Sequence, residues 1–160
     1  LHASLRIAQD ATLAEWQAEK REQFGSRWSA VPMILAKLAG HGIFVVDVKT
    51  KDHKLIDCAE TVSMQGIDGL CFYKNSFIAT QNGINPHRVI RYFLNKEFSN
   101  VEKAEVLEVN NPQFNEPTLG TVAGDRFYFI ANSQWGSFNK DGTIWPMEKL
   151  VEPLIMKIKL

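Results

Sequence analysis

The chain has 160 residues, 45% of them hydrophobic and 22% charged, and its 18 basic residues balance 18 acidic ones. That composition excludes a disordered or collagen-like chain, and zero net charge gives no whole-chain field favouring nucleic acid or an anionic membrane. No apolar run approaches the roughly 20 residues of a membrane-crossing helix, so no membrane span is expected.

Residues 1–40 read as a mostly helical extension. Between Ala3 and Phe24 there is neither Gly nor Pro, and the residues favour helix. A second helix is expected from Pro32 through Met33-Ile34-Leu35-Ala36-Lys37-Leu38. From His41 onward the pattern turns to β. Gly42 to Thr50 is an expected strand, and His53 to Cys58 pairs with it across Lys51-Asp52. A hairpin at 67–82, a strand from Arg88 to Leu94, a partner from Ala104 to Val109, a second hairpin at 117–132 and a final strand from Leu154 to Leu160 follow. Cys58 and Cys71 fit no zinc spacing and read as buried free thiols in strands.

The two hairpins are one motif, written twice fifty positions apart. Their turns, Lys74-Asn75 and Gly124-Asp125, coincide, and Asn82 matches Asn132. Asn and Gly accept the positive φ that tight hairpin turns require. Phe127-Tyr128-Phe129-Ile130-Ala131 is apolar at nearly every position, as in a strand covered on both faces. A repeat of about 40–50 residues built from short strands is the mark of a propeller blade. The expected fold is therefore all-β, a partial β-propeller with blades near 41–65, 66–112 and 113–160 behind the helical segment. Strands 43–48, 89–94 and 154–160 fall in one repeated slot, the third of each blade. Open blade edges leave backbone groups unpaired, so association through them is expected.

In such a blade the start of the first strand and the end of the second share one mouth of the channel. That places Asp68 beside Gln81 and Asn82, and Glu116 beside Asn132, Ser133 and Gln134. Carboxylates among amide oxygens form a hard ligand set suited to Ca²⁺ or Mg²⁺, with Asp68, Asn82, Glu116 and Asn132 as candidate ligands. The same residues read equally as turn-formers bonding nearby backbone. Gln81, His87, Gln134 and Trp135 are candidate substrate contacts at that mouth. The long segment from Ser133 to Glu152 is either a lid or a loop whose aromatics pack down onto the blade. Nucleophile-elbow, Walker and dinucleotide signatures are absent, as is any basic-aromatic stripe for nucleic acid.

Gly66-Ile67-Asp68-Gly69-Leu70, the run Ala79-Thr80-Gln81-Asn82-Gly83 and Arg88-Val89-Ile90-Arg91 together resemble the family of senescence marker protein, gluconolactonase and luciferin-regenerating enzyme. The resemblance covers about residues 42–160 and is most specific over 66–94. It implies two to three blades of a six-bladed propeller, a channel metal (Ca²⁺ first) and hydrolysis of a small lactone or ester. The family's Pro-Asp-Gly motif maps its metal ligand and catalytic base onto Asp68, with Ile67 in place of the Pro. The family's other ligands, a Glu and Asn residues of earlier blades, would lie upstream. One carboxylate cannot fill the Ca²⁺ shell of about six to eight oxygens, so the resemblance implies a C-terminal portion inactive by itself. The alternative is a non-catalytic propeller used as an interaction or sensing scaffold.

Overall fold

The computed structural model describes residues 33–37, 42–46, 50 and 52–160. The helix expected between residues 3 and 24 lies outside the described residues. Among those described, ten strands form three antiparallel sheets, each a meander in which chain neighbours are sheet neighbours. The first holds β1 (Met33–Lys37), β2 (Gly42–Val46) and β3 (His53–Leu55). The second holds β4 (Ile67–Tyr73), β5 (Ser76–Gln81), β6 (Arg88–Leu94) and β7 (Val101–Val109). The third holds β8 (Gly120–Ala123), β9 (Arg126–Ile130) and β10 (Ile155–Lys159). The all-β expectation holds. No helix among the described residues is long and apolar enough to cross a membrane.

One expected element is corrected. Residues 33–37 form β1 rather than the start of a second helix, and they pair with β2 from Met33 opposite Val46 to Lys37 opposite Gly42. Met, Leu, Ala and Lys are good helix formers, but local propensity is worth only tenths of a kcal/mol per residue. A full ladder with the next strand outweighs it. β1 therefore belongs to the first sheet, on the far side of the boundary expected at residue 40.

The hairpins form where the turns were read. Lys74 and Asn75 both take positive φ, 44° and 57°, and the Asn75 side-chain amide donates to the Leu94 carbonyl at 2.6 Å. Gly124 takes φ 63° in the second turn. Two positive-φ residues in succession match the right-handed twist of the flanking strands.

What organises the three sheets is a strand with no solvent-facing side. β5 is buried at every position. Alternate residues point to opposite sides of a strand. Phe77 and Ala79 lie with Ile90, Tyr92 and Leu94 against Ile43, Ile56 and Met64. Ile78, on the other side, lies with Val89 against Phe127, Phe129 and Ala131. The second sheet is thus covered on both faces. The outward face of the third sheet is not, since Leu119 and Ile155 are 60% and 58% exposed. Their counterparts in the second sheet, Gly69 by the fifty-residue repeat and Val89 by strand register, are buried beneath the third sheet.

The second and third sheets also meet along their first strands, and Gly69 permits the approach. A Cβ there would sit 2.4 Å from Thr80 Oγ1 and 3.1 Å from the Leu119 Cα. Gly69→Ala is expected to lower stability by about 1–3 kcal/mol, the usual cost of overpacking. Denaturant unfolding checks it, and an unchanged midpoint would mean that these strands do not come so close.

Candidate functional site

Asp68 stands outside its own ladder. Ile67 faces Gln81 and Gly69 faces Thr80, so the residue between them is an extra one, a β-bulge. Bulges re-aim the side chain they carry. The half-buried Asp68 accepts on Oδ2 a hydrogen bond from Asn82 Nδ2 at 2.9 Å and another from the Thr118 hydroxyl. Asn82 arrives there because β5 returns to the end from which β4 departs. Thr118 arrives there because it occupies, fifty residues later, the same place in its hairpin as Asp68. The repeat therefore brings its own equivalent positions into contact. Two donors on one carboxylate oxygen hold the group in a single orientation.

Glu116 and Asn132 belong to a neighbouring network. Glu116 takes φ 58°, its Oε2 accepts from the Gly136 backbone N–H at 2.9 Å, and its carbonyl accepts from Ser133 Oγ at 2.7 Å. Asn132 donates from Nδ2 to the Glu152 carbonyl at 2.9 Å and accepts on Oδ1 from the Leu154 N–H at 2.5 Å. Gln134 clamps Val151 both ways, donating to its carbonyl at 2.9 Å and accepting from its N–H at 3.0 Å. Together these bonds close the base of loop 133–153. Of the four candidate metal ligands, then, Asp68 and Asn82 touch each other, while Glu116 and Asn132 hold the loop.

Gln81 lies at the right end of β5 but faces inward, fully buried. Its Nε2 donates to the carbonyls of Ser63 at 3.1 Å and Gln65 at 2.5 Å, and its Oε1 accepts from Arg88 Nε at 2.6 Å. The amide is completely engaged within the fold. His87 sits half-buried after the β5–β6 loop, its carbonyl accepting from the Asn110 N–H at 2.9 Å, and no hydrogen bond joins it to Asp68. Trp135 is 62% exposed and stacks on Phe138 with ring centroids 6.0 Å apart. Of the two readings of the loop, packing its aromatics down onto the sheet is the one these exposures argue against.

The cysteines are free and half-buried. Cys71 donates to the Gly120 carbonyl at 3.0 Å and Cys58 to the Val62 carbonyl at 3.2 Å. Burial pushes both thiols above their ordinary range, so neither is an activated nucleophile.

As a metal centre the donor chemistry fits, but the donor count does not suffice. Asp68 supplies a carboxylate and Asn82 an amide oxygen, both hard ligands. Among the described residues no three His, Cys, Asp or Glu side chains gather to hold an ion. Thr118 was not anticipated, although superposing the two hairpin sequences sets it opposite Asp68. No protein-family model, no curated protein and no solved structure matches this chain.

Proposed function

We propose that the chain is the C-terminal portion of a six-bladed β-propeller of the senescence marker protein, gluconolactonase and luciferin-regenerating enzyme kind, and that Asp68 serves hydrolysis of a small lactone or ester. The observation that carries this reading is the meeting of Asp68, Asn82 and Thr118 at the shared end of two stacked sheets. Stacking on both faces of the second sheet supports the propeller, and the exposed Leu119 and Ile155 mark the face where a further blade would sit. In the 160-residue chain alone, the same face is the proposed route to self-association.

In this reading Asp68 orients a water and accepts its proton as the water adds to the carbonyl carbon, and it returns that proton to the departing alkoxide oxygen as the acyl C–O bond breaks. Asn82 and Thr118 keep the carboxylate aimed. A bound Ca²⁺ would polarise the carbonyl, as Lewis-acid ions do. From this chain it would draw on Asp68 and Asn82, with its remaining ligands supplied by other blades.

The second reading, a non-catalytic scaffold, is favoured by the engagement of Glu116 and Asn132 in loop contacts. Calcium titration of thermal stability separates the two, performed on the polypeptide that carries every blade. The hydrolase reading expects an upward shift in Tm with calcium that Asp68→Asn abolishes. No shift in the parent protein, or an equal shift in the variant, refutes the assignment of Asp68.

A further inference from the structure

Loop 133–153 walls a groove of about 540 Å³ whose lining includes Trp135, Phe138, Ile144, Met147 and Val151. We infer that this groove binds an uncharged, ring-bearing apolar group, the substituent of the lactone or ester whose carbonyl lies at Asp68. The lactone part rests on the function proposed above, whereas the ring contact stands on the loop's own construction.

The loop's polar and apolar groups do opposite jobs. Amide side chains fix the loop from within and from its base: Gln134 bonds the Val151 backbone both ways, Asn132 bonds the backbone of Glu152 and Leu154, and Asn139 Nδ2 donates to the Thr143 hydroxyl at 3.0 Å. Gln134, the one amide in the groove's lining, is thereby committed to the loop itself. The apolar groups meanwhile stay in water, with Met147 78% exposed, Ile144 56% and Val151 60%. A loop fixed by internal hydrogen bonds cannot readily collapse to hide these side chains. Uncovered apolar area on a fixed frame is what a preformed binding site presents. The volume falls within the range of about 300–1,000 Å³ usual for small-molecule sites.

Charge and shape narrow the ligand class. The lining holds no Lys, Arg or His, and its one ionisable group is Glu152, which is exposed. An anion would find no cationic side chain in that lining and would face a carboxylate. The tilted stack of Trp135 on Phe138, 29° between planes, offers a flat aromatic wall to a ring. The groove is also tied to the Asp68 group: the Gly136 N–H bonds Glu116, two residues before the Thr118 that holds Asp68.

Ligand-observed NMR titration of the purified protein tests the inference with three probes: γ-phenyl-γ-butyrolactone, unsubstituted γ-butyrolactone and 4-phenylbutyrate. The phenyl lactone is expected to bind saturably, and the other two at least about tenfold more weakly. Trp135→Ala and Met147→Ser, both at exposed positions that the fold tolerates, are expected to weaken the phenyl lactone about tenfold. Absence of saturable binding, unchanged affinity in Trp135→Ala, or equal affinity for the phenylbutyrate anion would overturn the inference. Retained ring binding without calcium-dependent hydrolysis by the all-blade polypeptide would instead refute the hydrolase reading and leave the groove's ligand class standing.

Discussion

Phe77→Ala and Ile78→Ala are each expected to destabilise the protein severely, by about 3–5 and about 2–5 kcal/mol respectively. Adjacent residues of a strand point to opposite faces, and in an ordinary sheet one of two neighbours is cheap to truncate. Here neither is. Phe77 is packed within the cluster shared with the first sheet, and Ile78 within the one shared with the third. Both are essentially inaccessible to solvent, so each truncation opens a cavity as well as losing apolar contact. Ile155, pointing away from the third sheet's packed face, serves as control, and its truncation should cost no more than about 0.5 kcal/mol, as surface changes do. Denaturant unfolding of the three variants measures all of this. One severe and one mild effect at 77 and 78 would describe a sheet covered on a single face, and the stacked arrangement would fail.

Gln81→Ala is expected to be the costliest polar change. Its buried amide satisfies two carbonyls and the Arg88 guanidinium, and the Tyr92 hydroxyl converges on the same Ser63 carbonyl at 2.7 Å. Removing the amide takes a partner from the Gln65 carbonyl and from the half-buried Arg88 guanidinium, at about 1–3 kcal/mol each, while the Tyr92 hydroxyl keeps the Ser63 carbonyl bonded. A total loss of about 2–3 kcal/mol follows, without any ligand present. Thermal and denaturant unfolding read it directly. If Gln81→Ala kept parental stability and instead lost substrate affinity, Gln81 would return to the role its sequence position first suggested.

Where the chain's pattern carried physical information, it was readable. Lys74-Asn75 and Gly124-Asp125 announced tight turns because few residues accept their φ. The unbroken apolar run around Phe127 announced a strand covered on both sides, but within β9 only Phe127 and Phe129 are buried, and Tyr128 and Ile130 lie on the third sheet's open face. The pairing of the two hairpins followed from their spacing. The failures have equally specific causes. Met33–Lys37 was read as helix because its residues favour helix locally, and the ladder with β2 that decides otherwise is a tertiary contact. Gln81 looked available because its partners Ser63 and Gln65 lie in a segment with no periodicity. Glu116 and Asn132 shared the spacing of ligands, but a polar side chain at a strand end serves backbone or ion equally well in sequence. Which backbone it meets depends on loop 133–153, whose fold no periodicity announces. Thr118 was legible in principle, at the place where the second hairpin repeats Asp68.

The contact between Asp68 and Thr118 joins the architecture to the chemistry, and a double-mutant cycle on stability measures it most directly. Asp68→Ala, Thr118→Val and the combined variant are unfolded in denaturant beside the parent. Side chains that share a hydrogen bond across the two repeats should couple by about 0.5–3 kcal/mol, the double variant costing less than the sum of the singles. Strict additivity, within about 0.3–0.5 kcal/mol, would show that the two positions do not meet, and the shared site built on them would be contradicted.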